Sequence, residues 1–334
     1  MTDNASKNSK VTNLFRKGLK ASMNGELDEA LKLFLEAVEE DPTQANIWYN
    51  LAKVYTNLEN YERAVFCYEE LIKLEVNQYN YYNLGCVFFS WDKDLDAIKS
   101  FKKAVELDPT YTKAIDAIGS TYGNMGEFEK AIEYYKLACK IEEENDQFLG
   151  HLGWALGCNG DYELAIMYLK KAISLNPNKP ELFYNMGFSY YNIEEYRKAI
   201  IEYEKAIELG YRHADIYVNI ALAYEELKEK EKVNEFLEAA VKENPDNSDN
   251  LFLYGASLYE MGDYEQAELI YRKIIDLQPD NVDAWRELGI CLDNKQELEE
   301  AKRCFEKVNQ IQKSEILKEN SIRKPKIFEL LEEN

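Results

Sequence analysis

Histidine is nearly missing from this chain of 334 residues, which holds only His151 and His213. The shortage empties the templates that depend on it: no H-E-x-x-H occurs, and neither histidine stands at zinc spacing from a cysteine. Six cysteines are scattered at Cys67, Cys86, Cys139, Cys158, Cys291 and Cys304 with no C-x-x-C pair, which favours reduced, half-buried helix residues over a disulfide framework or a metal site. Neither G-x-S-x-G nor G-x-x-x-x-G-K-[ST] occurs, so hydrolase and nucleotide-binding patterns are empty too. No run approaches the roughly eighteen apolar residues that span a bilayer, and the polar start MTDNASKNSK is no secretory signal. A soluble, cytoplasmic protein is expected, in which the sequon Asn4-Ala5-Ser6 is accidental. Positive charge is also short, 40 Lys and Arg against 62 Asp and Glu, for a net charge of −22. Such a field repels a nucleic-acid backbone or an anionic membrane and favours basic or neutral protein partners.

What the chain has is repetition. In the stretch from Asp146 to Lys179, Leu149, Leu152, Gly153 and Leu156 share one helical face, Asn159-Gly160-Asp161 signals a turn, and Tyr162, Ala165, Leu169 and Ala172 share a second helical face before Asn176-Pro177 stops it. The unit is a helix-turn-helix hairpin of 34 residues, too small to bury its apolar face alone. Its eighth position recurs as Gly18, Ala52, Gly85, Gly119, Gly153, Gly187, Ala221, Gly255 and Gly289. Its twentieth recurs as Ala30, Ala64, Ala97, Ala131, Ala165, Ala199, Val233, Ala267 and Ala301, with one step of 33 in each column. Small residues at both positions let the paired helices approach while aromatics fill the remaining volume. Pro42, Pro109, Pro177, Pro245 and Pro279 share the place where the second helix must end.

These columns fit W-x2-L-G-x2-Y, A-x3-F, P, most plainly in Trp48-Leu51-Ala52-Tyr55-Ala64-Tyr68 and Trp285-Leu288-Gly289-Leu292-Ala301-Phe305. The chain therefore resembles a tetratricopeptide-repeat (TPR) protein. The resemblance implies an all-α fold, a right-handed α-α superhelix (TPR solenoid) of about nine helix-turn-helix repeats plus a C-terminal capping helix. The expected layout is a disordered tail over 1–10 and repeats at 11–44, 45–77, 78–111, 112–145, 146–179, 180–213, 214–247, 248–281 and 282–315, with a helical cap over 316–334. Nothing resembles an interdomain linker, and one continuous array is expected.

In the family the face of each first helix turned away from the stack lines a concave groove, and the resemblance implies the same here. The sixth position carries Asn50, Asn83, Asn185 and Asn219, whose amides offer a donor and an acceptor to an extended peptide backbone, as the asparagine ladders of superhelical family members do. The same amides could instead bond a neighbouring helix. Ala117 and His151 interrupt the ladder, in a stretch where Ser120, Gly123, Gly150 and Gly157 leave little side chain. His151 and Trp154 stand beside it, flanked by Tyr82, Phe89, Tyr184, Phe188 and Tyr191. This reads either as an aromatic-walled pocket for an apolar anchor or as a tight contact between repeats. Asp215, Glu225, Glu226, Asp249, Glu260, Glu287 and Asp293 make the C-terminal part of the face acidic, which suits a partner with basic residues. The carboxylate clamp that holds chaperone C-termini needs lysine and asparagine at the fifth and ninth positions; Phe15 and Leu19, Tyr49 and Lys53, and Tyr82 and Cys86 stand there instead, so that activity is disfavoured.

Asp92-Lys93-Asp94-Leu95-Asp96 imitates the start of a calcium loop, but Ala97 and Lys103 occupy the glycine and bidentate-glutamate places, so no metal is expected. The glycines at 150, 153, 157 and 160 lie in a helical pattern with no strand before them, which removes the phosphate-loop reading and with it any cofactor. The residues favour a non-catalytic scaffold that holds an extended peptide or protein segment. The alternatives are a ligand-responsive regulator and a subunit of a larger enzyme or secretion assembly.

Overall fold

The computed structural model describes the backbone of residues 2–329 and the side chains of residues 9–314. The described residues form helices without strands, and the chain divides into two compact units, Met1–Pro177 and Asn178–Asn334. The first unit contains α1 (Thr2–Met23), α2 (Leu27–Glu40), α3 (Ala45–Asn57), α4 (Tyr61–Leu74), α5 (Gln78–Ser90), α6 (Asp94–Leu107), α7 (Thr112–Asn124), α8 (Phe128–Ile141), α9 (Asp146–Asn159) and α10 (Tyr162–Leu175). The second contains α11 (Pro180–Asn192), α12 (Tyr196–Glu208), α13 (Ala214–Glu226), α14 (Lys230–Glu243), α15 (Ser248–Glu260), α16 (Tyr264–Leu277), α17 (Val282–Asn294) and α18 (Leu298–Glu329). Within each unit, odd and even helices pair as hairpins and each hairpin packs on the next, the all-α tandem stack that the column spacing predicts.

Two recurring contacts hold a hairpin closed. The eighth position of the first helix faces the twenty-fourth of the unit: a methyl added at Gly85 would stand 2.5 Å from the Phe101 ring, and one at Gly187 2.7 Å from Tyr203. The rings are buried because no Cβ stands in their way. The twentieth-position alanines are buried to match, from Ala30 at 0 % to Ala301 at 3 % exposed.

The turn inside each hairpin is closed by one residue with left-handed backbone, at Gly25, Glu59, Asp92, Gly126, Gly160, Glu194, Lys228, Gly262 and Gln296. The next amide reaches back five residues to a first-helix carbonyl, as Asn60 N does to Tyr55 O (2.9 Å) and Asp161 N to Leu156 O (2.8 Å), which satisfies an otherwise orphaned helix-end acceptor. Tryptophan at the fourth position ties a hairpin to the preceding boundary: Trp48 Nε1 donates to Pro42 O at 2.8 Å, and Trp285 Nε1 to Pro279 O at 2.9 Å.

Both chain ends depart from expectation. Helix α1 starts at Thr2 where a disordered tail over 1–10 is expected. Its end is tied down through Lys10, which pairs with Glu40 of α2, and through the fully buried Val11. At the other end a separate capping helix over 316–334 is replaced by the single long α18, which continues to Glu329. No glycine or proline interrupts 298–324, so nothing in the local sequence ends the helix at the close of the ninth unit. The rest of the expected cap, 330–334, lies outside the described residues.

Candidate protein-binding clefts

The sixth position does not behave as one ladder. In the first unit Asn50 Nδ2 donates to Asn46 O of its own helix at 2.7 Å. Asn83 instead lines a cleft of about 180 Å³ between α3 and α5, together with Tyr49, Lys53, Thr56, Asn57 and Ser90. In the second unit Asn219 Nδ2 donates to the Tyr184 hydroxyl at 3.2 Å, a bond between successive first helices. Tyr184 also stacks on Tyr211 with ring centroids 4.8 Å apart. Asn185 is half-buried on α11.

His151 repeats the geometry of Asn219 with different chemistry. Its Nδ1 donates to Asp116 Oδ1 of α7 at 2.7 Å, and Gln147 Nε2 donates to the other carboxylate oxygen at 3.2 Å. Asp116 is only 9 % exposed, and these two donors offset the cost of burying its charge. The His151 ring lies 5.4 Å from that of Tyr135, whose hydroxyl shares a 3.0 Å hydrogen bond with Ser120. Ser120 thus shares its hydroxyl with a phenol. Burial holds the Tyr82 phenol above its ordinary range, with Cys86, Tyr111 and Asp116 adding to the effect, so Tyr82 belongs to the same polar neighbourhood.

Trp154 packs against the preceding repeat. A methyl on Gly123 would stand 2.7 Å from the indole, and Trp154 meets Phe128 edge-on with centroids 5.9 Å apart. The space left by Gly123 is filled by the tryptophan, the tight-contact alternative at that glycine. Gly150 and Gly157 are buried within α9. In the second unit Phe188 is 37 % exposed, and Tyr191 meets Tyr196 at a 65° interplanar angle. Tyr82, His151 and Trp154 belong to the first unit, and Tyr184, Phe188 and Tyr191 to the second.

A further apolar opening was not legible in the sequence. It lies between α13 and α15, has a volume of about 270 Å³, and is lined by Leu222, Val233, Leu237, Leu253, Ala256 and Met261, with charged residues at its rim. Two signals pointed there: Val233 breaks the alanine column, and Leu237 stands where most hairpins have an aromatic ring. The polar partners of His151 were also missed, because a contact one repeat away leaves no local motif.

Buried thiols have little nucleophilic character. Burial pushes Cys67 up to about 12 and Cys139 and Cys291 up to about 11, so at neutral pH they stay protonated. Among the described residues no three His, Cys, Asp or Glu side chains gather to hold a metal ion, and no helix is long and apolar enough to cross a membrane.

The comparisons agree with this geometry. Family profiles described as tetratricopeptide repeat match residues 21–84, 258–316, 79–111 and 112–145, and a profile described as TPR repeat matches 159–193. A profile for anaphase-promoting complex, cyclosome, subunit 3 matches 194–274. The chain is 27 % identical over 113 residues to anaphase-promoting complex subunit 3 of Schizosaccharomyces pombe, covering 34 % of this chain and 17 % of the relative. It is 28 % identical over 122 residues to mitochondrial import receptor subunit TOM70 of Rattus norvegicus, covering 36 % and 20 %. The chain thus spans a fifth or less of the length of these two relatives. Its fold is similar to a tetratricopeptide repeat protein from Parabacteroides merdae, with a TM-score of 0.59 at 14 % identity over 75 % of this chain and 99 % of that one.

Proposed function

We propose that this chain, which belongs to the tetratricopeptide-repeat family, is a non-catalytic scaffold that holds an extended protein segment against the first-helix faces of its units and so helps assemble a complex. One observation carries the proposal. In each unit a cleft opens between successive first helices at the sixth, ninth and thirteenth positions, polar between α3 and α5 and apolar between α13 and α15. Two openings of one design and different chemistry suit a ligand that presents amide groups at one place and an apolar side chain at another. The names of the relatives, a subunit of the anaphase-promoting complex and a subunit of a mitochondrial import receptor, support a role inside a multi-chain assembly.

The test exchanges only residues free of an internal role. Asn50 and Asn219 bond within their units and Trp154 fills the space over Gly123, so they are left alone. Asn83→Leu with Asn185→Leu in the full chain should reduce recovery of native binding partners by about tenfold, read by quantitative mass spectrometry of affinity captures. The circular dichroism and melting temperature should stay unchanged. Full recovery of every partner by the folded double variant would end this reading.

A further inference from the structure

The cleft between α13 and α15 has a specific cause. Most hairpins place an aromatic ring at the twenty-fourth position, as Tyr203 and Tyr271 do on either side, whereas here Leu237 stands there. At the twenty-first position, early in α14, the isoleucine found at Ile166 and Ile200 is replaced by Asn234, which accepts a 3.4 Å hydrogen bond from the Ser257 hydroxyl. Helix α14 buries only Leu237 and Ala240, where α12 buries Ala199, Ile200, Tyr203 and Ala206. A smaller side chain and a polar neighbour leave about 270 Å³ unfilled. An apolar cavity of about 150 Å³ already holds a benzene ring. The matching cleft of the first unit, where Tyr68 keeps its ring, is smaller at about 180 Å³ and is lined by Lys53, Asn57 and Asn83.

Apolar surface stays open to water at this place: Leu253 is 38 % and Met261 45 % exposed, and Leu253 occupies the position that carries asparagine in four other repeats. The rim charges are not all spent. Glu229 pairs with Arg197 at 3.0 Å and Glu260 with Lys230 at 3.2 Å, while among the described residues no ion pair joins Glu225, exposed at the end of α13 beside Glu226, or Lys228 on the same rim.

We propose that this cleft is an anchor site for a protein segment in which a large apolar side chain (Phe, Leu or Met) lies within two residues of a Lys or Arg, the apolar group entering over Leu237 and the cation meeting Glu225. This rests on the scaffold reading and names the chemistry that one of its openings selects. Charge complementarity selects the occupant: on a chain of net charge −22, the rim sets Glu225, Glu229 and Glu260, with Glu226 beside them, against Lys228 and Lys230, and this acidic excess discriminates against an apolar anchor flanked by acids.

The probe is a phage-displayed library of random peptides about twelve residues long, selected on the full chain, with affinities of the recovered peptides measured by fluorescence anisotropy. Recovered peptides should share the apolar–basic pair. Leu237→Tyr, which fills the cleft, should weaken them by about tenfold, and Glu225→Lys should weaken them and shift a repeated selection toward apolar–acidic pairs. Tyrosine is compatible with the alanine at Ala221, since Tyr68 already packs in a hairpin with Ala52. Glu225 is exposed, so its replacement keeps the test alive even if the first variant fails to fold. Peptides without the pair, or with the pair and indifferent to both variants, would overturn the anchor site, as would failure to recover any binder. Peptides indifferent to both but lost in Asn83→Leu would leave the scaffold standing without this anchor, while indifference to all three would remove both.

Discussion

A phenol or thiol sealed inside these hairpins stabilises the fold only while it is neutral. Burial pushes the Cys67 thiol from 9.0 to about 12 and lifts the phenols of Tyr68, Tyr135, Tyr203 and Tyr271 above 10.0. The folded value of each group lies above its unfolded value, so its contribution is complete below the unfolded value and is lost as pH rises toward the folded one. The melting temperature should therefore hold up to about pH 9 and fall above it, with Cys67 adding a slope of about 1.4 kcal/mol per pH unit between its two values. Thermal denaturation across alkaline pH checks this, and Cys67→Ala should make the fall shallower. A profile as steep in the variant would show that the thiol ionises as readily folded as unfolded. The same scale accounts for the break in the asparagine series. His151 looked like a gap in an asparagine series, but it makes the backward contact that Asn219 makes, with Asp116 as acceptor where Asn219 has the Tyr184 hydroxyl. The partner lies 35 residues away, beyond the reach of any local pattern.

At the level of the helix, the turn inside each hairpin sets the terms. Four of the nine left-handed turn residues are glycine and five are not, among them Glu59 at φ 57°. A side chain in this region carries a steric cost of about 1–2 kcal/mol, part of which a glycine returns to the flexibility of the unfolded chain. Glu59→Gly should therefore stabilise by about 0.5–1 kcal/mol, while Gly160→Ala, at φ 90°, should destabilise by about 1 kcal/mol; urea denaturation measures both. Opposite signs at equivalent positions are the check, and a loss of stability from both would refute the account. The hairpins were legible because glycine and alanine columns record close helix contacts directly. The turn column was not, because Glu59, Asp92, Glu194, Lys228 and Gln296 owe their conformation to the bonds closing the helix end and carry no residue signature. Helix ends were hardest to place: nothing marks a start at Thr2, and α18 outruns its unit for lack of any stop.

Over the entire molecule, charge is the dominant long-range term. Several ion pairs join exposed side chains three or four residues apart on one helix, as Lys205–Glu208 and Lys242–Glu238 do, and each contributes little. A half-buried network ties α16 to its neighbours: Glu268 accepts from Arg272 at 2.8 Å and from Lys295 at 2.6 Å, and Arg272 reaches on to Glu300 at 2.6 Å. Against this stands the self-repulsion of a net charge of −22. Raising sodium chloride from about 0.01 M to about 0.5 M should therefore raise the melting temperature by a few degrees, since screening relieves more repulsion than attraction. Differential scanning calorimetry decides this, and a falling temperature would mean that the pairs outweigh the repulsion. The apolar cleft divides in legibility along the same line: the acidic run from Asp215 to Glu260 is plain in the sequence, whereas the hole beside it reflects Leu237 and Asn234 acting together, which no single column records.

The turn glycines leave one practical legacy. A side chain built at Gly25, Gly126, Gly160 or Gly262 would meet nothing within 4 Å, so these hairpin tips point into open water. They are natural places for an inserted epitope, a fluorophore or a grafted loop, since added chain there presses on no packed neighbour. Reporters at Gly25, Gly126 and Gly160 could thus be spaced along the first stack with its cleft-lining face clear, whereas Gly262 adjoins Met261 of the apolar cleft and would report on its occupancy.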